Sequence, residues 1–367
     1  MTSRERVTAA LRRQSPDRVP IFMWFHPGTT DRLASLLELP PALVADALGN
    51  DVRQTWVGNN FAMEGIVHEQ EGETHRDLWG IQWVRVGHFN QILSSPLADA
   101  GRDDVLAYRF PHAHIAELLL PLARLLETPG DAFIGADVSP CLFEMVCRLR
   151  GMERAILDLA EDQSLASSLL SAAADFSVAL AEAVCARGGI DWLWTGDDVA
   201  GQKSMIMSPG AWRSMVRPHL ERIVRTGKRH GLPVAYHCCG ALRPIIPDLV
   251  AMGIDVLNPI QCNCPGMDPL ELKREFGEHL TFMGGVDTVE LLPNGEAREV
   301  YAATAGLIEA MTAGGGGYIL AASHTVPPET PLDNIFALYE AAGVSRAEIM
   351  DRAAGLRRRC TPPLRPA

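Results

Sequence analysis

From about residue 130 onward, short apolar runs alternate with longer stretches whose apolar positions recur at helical spacing. The runs 131–138 (DAFIGADV), 191–196 (DWLWTG), 232–239, 254–260 (IDVLNPI), 280–286 (LTFMGGV) and 317–323 (GYILAAS) read as strands. The intervening stretches 152–186, 209–230, 243–252, 269–276, 296–313 and 331–342 read as helices. Ser208 is placed to cap the second of these ahead of Pro209, and Gly343 to end the last. Upstream, a helix over 2–13 is broken by Ser15-Pro16-Asp17, and strands are predicted at 19–25 (VPIFMWF) and 51–57 (DVRQTWV). Helical spacing over 33–48 is interrupted by Pro40-Pro41, and a further helix is predicted over 112–126. Two polar-alternating segments between 67 and 87 predict an antiparallel hairpin covering one end of the main sheet.

Eight strands, most followed by a helix, predict an α/β protein of the (β/α)8 TIM-barrel class, with an N-terminal helix and a β-hairpin excursion. The expected organisation is one domain over 1–345 followed by a C-terminal helix or tail over 346–367. No Gly-x-Gly-x-x-Gly follows a strand, which disfavours a dinucleotide fold. The run Gly314–Gly317 precedes a strand and lacks a following Lys-Ser/Thr, so it reads as a tight turn rather than a phosphate loop.

Composition narrows the function classes. A formal charge of −12 argues against a general nucleic-acid binder. No unbroken apolar run reaches the roughly 20 residues of a membrane span. The charged start MTSRERVTAALRRQ lacks the apolar segment of a secretory signal, so a cytoplasmic protein is expected. The eight cysteines then read as reduced thiols.

A barrel places function at the carboxyl ends of its strands, and there the sequence is polar. Asp197-Asp198 follow the fourth strand, His237 and Cys239 the fifth, Gln261, Cys262 and Cys264 the sixth, Asp287 the seventh, and Ser323-His324 the eighth. In the run VAYHCCG, strand alternation turns His237 and Cys239 to one face and Cys238 to the other. An imidazole and a thiolate side by side are two ligands of a catalytic zinc site, or else a small thiol beside a hydrogen-bonded histidine. His324 is the candidate third ligand, with Cys262 and Cys264 as alternatives. Continuing the strand phase turns Asp197 toward the axis and Asp198 toward the loop, with a catalytic role for at least one. Gln261 and Asp287 are candidate substrate contacts, and a turn-forming role is the alternative for Asp287. Asp51 opens a strand and reads as structural, and Trp192 and Trp194 read as core.

The segments WTGDDVAGQ, SPGAWRSMVRPHL, YHCCGALRPIIPDLVAMGIDVLNPIQ, MDPLELKREFG, LTFMGGVDT and ILAASHTVPPETPLDNI, in this order, resemble the uroporphyrinogen decarboxylase superfamily. That resemblance also implies a (β/α)8 barrel. True decarboxylases of the superfamily carry an Arg-Gln-Ala-Gly-Arg segment that grips substrate carboxylates; the corresponding region here reads FMWFHPGTTDR. The other branch, zinc methyltransferases and O-demethylases working with methyl-corrinoid proteins, carries His-x-Cys-Gly, matched by His237, Cys239 and Gly240. Its third ligand is commonly a cysteine, where this chain has His324.

The resemblance implies a zinc methyltransferase exchanging a methyl group between a small molecule, a methoxy compound or a thiol, and cobalamin, either cobalamin itself or that of a corrinoid partner protein. His237, Cys239 and His324 would hold Zn2+, and no nucleic-acid or membrane partner is expected. A homodimer is compatible with the resemblance. The alternatives are a metal-independent lyase acting on a non-porphyrin acid, and a non-catalytic corrinoid- or metal-binding accessory protein.

Overall fold

The computed structural model describes residues 1–58, 70–87 and 89–360. Its strands are β1 (Val52–Trp56), β2 (Thr74–Arg76), β3 (Gln82–Val86), β4 (Phe89–Ser94), β5 (Phe133–Asp137), β6 (Trp192–Gly196), β7 (Val234–His237), β8 (Val256–Ile260), β9 (Thr281–Val286) and β10 (Tyr318–Ala322). Seven form one sheet in the order β1-β5-β6-β7-β8-β9-β10, and the pairs β5–β6, β6–β7, β7–β8 and β9–β10 run parallel. Strands β5, β6, β7, β8 and β10 are buried almost throughout, which accounts for their near-continuous apolar sequences. The fold is therefore α/β with a seven-stranded sheet.

The chain divides into two compact units, one formed by Met1–Val52, Pro259–Asn263 and Asp268–Ala367, the other by Arg53–Asn258 and Cys264–Met267. In the first, the expected strand over 19–25 shrinks to isolated parallel bridges, Ile21 with Leu320 and Phe25 with Val326. Pro20 has no N–H to donate, and only its carbonyl is used, by Leu320 N. The carbonyl of Ile21 accepts from Asp51 N at 2.7 Å. Asp51, fully buried, takes Arg6 at 2.6 Å, Arg18 at 2.7 Å and the Ile21 N–H at 2.8 Å, the structural role expected of it. The C-terminal helix Arg346–Cys360 packs on Val44–Leu48 in the same unit, with Arg357 Nη1 donating to Leu37 O.

In the second unit the hairpin gains a third strand, giving an antiparallel sheet β2-β3-β4; expected positions 67–69 lie outside the described residues. The stretch 152–186 is two helices, Met152–Glu161 and Gln163–Arg187, because Asp162 leaves helical geometry and caps the second through Leu165 N. Likewise 209–230 splits into Pro209–Met215 and Arg217–Arg229, Pro218 opening the second helix. Ser208 caps Pro209–Met215 through Ala211 N. Helix Gln163–Arg187 is long and apolar enough to cross a membrane by length and composition, and 56% of its most apolar window is buried within the protein. That is the pattern of a core helix, and this helix packs on Arg217–Arg229. The seven cysteines with described side chains are reduced thiols, none of them in a disulfide.

Candidate metal centre

His237 ends β7 and Cys239 follows it, with burial alternating along this stretch. His237 and Cys239 are half-buried while Tyr236 and Cys238 between and beside them are fully enclosed. The chain then turns at Gly240, whose φ of +91° favours glycine, and a Cβ there would sit 2.5 Å from Gly201 O. This turn needs a glycine on both counts, and it fixes the Cys239 backbone against the segment following β6.

The two side chains face each other, with Cys239 Sγ 3.6 Å from His237 Nε2. Zinc bonds of ~2.0 Å to nitrogen and ~2.3 Å to sulfur, at a tetrahedral angle, separate those atoms by roughly 3.5 Å. The observed spacing therefore suits a shared zinc ion. Behind the ring, His237 Nδ1 meets Asn258 Oδ1 at 2.7 Å, across the register pair His237–Asn258 of β7 and β8. With the amide oxygen as acceptor, Nδ1 carries the proton and Nε2 keeps its lone pair toward Cys239. His237 and Cys239 lie together in the second unit, while His324, the expected third ligand, belongs to the first. Of the alternatives, Cys262 Sγ donates to Asn263 Oδ1 and Cys264 is buried.

The surroundings favour a cation. Burial raises the Cys239 thiol pKa well above its usual value, with Asp198 the next contributor. Glu144 also lies in this field: burial raises its pKa, Arg148 draws it back, Asp198 raises it further and His237 lowers it. Glu144 and Arg148 are an i,i+4 pair at 2.6 Å on the helix Phe143–Arg150. A bound cation would help Cys239 lose its proton in this negative setting.

Asp197 and Asp198 sit in different surroundings. Asp197 is completely buried and accepts the Glu144 N–H at 2.7 Å, filling an orphan donor in the first turn of Phe143–Arg150. Burial pushes its carboxyl up to about 8. Asp198 is the half-buried member, and its Oδ1 accepts the Cys239 N–H at 2.8 Å. β6 ends at Gly196, before either aspartate.

Asp287 serves a turn. Its carboxylate accepts from Val289 N at 2.7 Å, Glu290 N at 3.3 Å and Asn263 Nδ2 at 3.0 Å. Gln261 sits half-buried just past β8. An apolar cleft of about 300 Å³ between β9 and the helix Ala297–Thr312 has Asp287 in its wall, alone among the predicted site residues. Sequence reasoning passed over Asn258, Glu144 and Arg148. Asn258 carried a signal, as a lone amide within the apolar run IDVLNPI. The charged pair had only its i,i+4 spacing.

The model of the family described as Uroporphyrinogen decarboxylase (URO-D) matches residues 125–343. Over 226 residues the chain is 26% identical to the methylated-thiol–coenzyme M methyltransferase of Methanosarcina mazei, covering 61% of this chain and 53% of that relative. The chain thus spans about half the length of that relative. The match to the methylcobamide:CoM methyltransferase MtbA of the same organism is 23% identical over 351 residues, covering 93% of this chain and 97% of the relative. A uroporphyrinogen decarboxylase of Thermus thermophilus is 30% identical over 273 residues, covering 71% and 74%. A solved structure of a methyltransferase from Methanosarcina mazei superposes with a TM-score of 0.70 at 19% identity, covering 94% of this chain and 98% of that one, which establishes a shared fold.

Proposed function

The chain belongs to the uroporphyrinogen decarboxylase family, and we propose that within it this protein is a zinc-dependent methyltransferase. It moves a methyl group between a small molecule, a thiol or a methoxy compound, and cobalamin carried by a corrinoid partner protein. The observation that carries this reading is the His237–Cys239 pair, set 3.6 Å apart for one metal and backed by Asn258. The methylcobamide:CoM methyltransferase matched over nearly the whole chain supports the reaction class. We read the fold as a (β/α)8 barrel, with segment 19–25 beside β10 taking the eighth strand position.

His237, Cys239 and His324 would hold the zinc, three protein ligands leaving one position open for substrate. Zinc supplies Lewis acidity there, lowering the pKa of a thiol acceptor or polarising a methoxy oxygen. Two imidazoles and one thiolate leave the centre with net positive charge, whereas a second thiolate would neutralise it. Asp198 holds the Cys239 backbone in place, and Asn258 holds the His237 ring. Gln261, just past β8, would orient substrate, while Asp287 shapes the turn after β9.

A decarboxylase needs cations for its substrate's carboxylates. Arg32, the arginine of the segment FMWFHPGTTDR, instead spends its Nη1 on the carbonyls of Pro328 at 2.6 Å and Thr330 at 3.0 Å. The deciding experiment mixes zinc-loaded protein with methylcobalamin and a small thiol, and in the reverse direction with reduced cobalamin and a panel of methoxy compounds. Thioether formation or methylcobalamin production, lost in Cys239→Ser, is the expected result. No transfer in either direction would discard the methyltransferase and leave the lyase or the accessory binding protein.

A further inference from the structure

We propose that Asn258 is the positioning residue that selects Nε2 of His237 as the ligand atom, an inference that rests on the metal-site reading above. Three observations converge on it. Asn258 is 2% exposed, so its amide has no ready exchange with bulk water. It is the register partner of His237 on the adjacent parallel strand, and its own carbonyl accepts Cys238 N at 2.9 Å, so the backbones on which the two side chains ride are fastened together. Its Oδ1 stands 2.7 Å from Nδ1, while the opposite ring nitrogen faces Cys239 Sγ.

A free imidazole exchanges its proton between the two nitrogens, and a ligand ring that also rotates must be ordered when the metal arrives. An acceptor fixed behind Nδ1 removes both freedoms before binding. The choice of an amide also has a chemical consequence. It orients the ring as a carboxylate would, without adding another negative charge beside Asp198 and Glu144. The opposite amide orientation would present Nδ2–H to Nδ1, force the proton onto Nε2 and aim an N–H at the thiol. The two arrangements give opposite tautomers.

The test has a metal-free arm and a metal arm. Nitrogen-15 NMR of the His237 ring in metal-free protein should report the neutral ring protonated on Nδ1 in the wild type. It should report a tautomer mixture in Asn258→Leu, and the Nδ1–H form again in Asn258→Asp. By competition against a chelator, zinc affinity should fall roughly 10- to 100-fold in Asn258→Leu and stay within a few-fold of wild type in Asn258→Asp. A wild-type ring protonated on Nε2, or unchanged zinc affinity in a folded Asn258→Leu protein, would overturn the assignment. A wild type with the Nδ1–H tautomer that binds no zinc would instead refute the metal-site reading and, with it, Nε2 as a ligand. A folding failure of Asn258→Leu leaves the wild-type and Asn258→Asp spectra to decide.

Discussion

The carboxylate of Asp198 accepts the backbone N–H of Cys239 at 2.8 Å, so the residue following β6 and its neighbour Asp197 secures the ligand-bearing turn after β7. Asp198→Ala would leave that N–H without its acceptor and loosen the turn. Zinc affinity, measured by chelator competition, should fall about tenfold. Asp198→Asn, which keeps an acceptor oxygen, should lose much less. Equal losses in both variants would mean that the charge of Asp198, rather than its hydrogen bond, matters to the site.

Asp51 tests the separation of stability from chemistry. It is fully enclosed and holds Arg6, Arg18, the Ser3 hydroxyl and the Ile21 N–H. Removing it leaves Arg6 with Asp17 as its remaining carboxylate and strips the Ile21 N–H of its acceptor, a change that costs about 1–3 kcal/mol. Denaturant unfolding of Asp51→Ala should show a loss of that size, while the folded variant keeps its zinc. A loss below about 1 kcal/mol would contradict the structural role.

Asp137 predicts a pH dependence. It is completely buried at the end of β5, and desolvation pushes its carboxyl up to about 8 despite hydrogen bonds from Ser139. The unfolded chain ionises this group near its ordinary value of 3.8 and the folded chain does not, so the folded state binds more protons between 3.8 and about 8. Its contribution is complete below the lower value and is lost as pH rises toward 8, at up to about 1.4 kcal/mol per pH unit. Asp137→Asn should flatten the stability profile across that window. An unchanged slope in the variant would show that Asp137 is ionised in the fold.

A second thiolate at the third position offers another check. His324→Cys would turn a centre with net positive charge into a neutral one. Zinc should be retained and should acidify a bound thiol less. The pH at which thiol-dependent transfer reaches half its maximum is therefore expected to move upward, as a pH–rate profile would show. A downward shift would contradict the charge argument.

Much of this was legible in the sequence because burial writes itself into apolar runs. Strands β5 to β10 sit in the main sheet with few exposed positions, and the apolar runs mark each of them. The HxC pair was legible for a related reason, since burial alternates from Tyr236 to Cys239 although β7 ends at His237. What escaped was whatever a three-dimensional partner decides. Pro20 reduces an apolar run to two bridges. Helix Phe143–Arg150 is buried almost all round, so its FEMVCRLR sequence shows no amphipathic stripe, and Glu144 and Arg148 hide in it. The ring-holding use of Asn258 depends on a partner at 237.

The most direct test of the account is the zinc content of the purified, zinc-reconstituted protein beside His237→Ala, Cys239→Ala and His324→Ala. The three-ligand centre predicts about one zinc per chain in the wild type and its loss in every variant. Zinc retained at full stoichiometry in His324→Ala would shift the third ligand to Cys262 or Cys264, and no zinc in the wild type would contradict the metal centre itself.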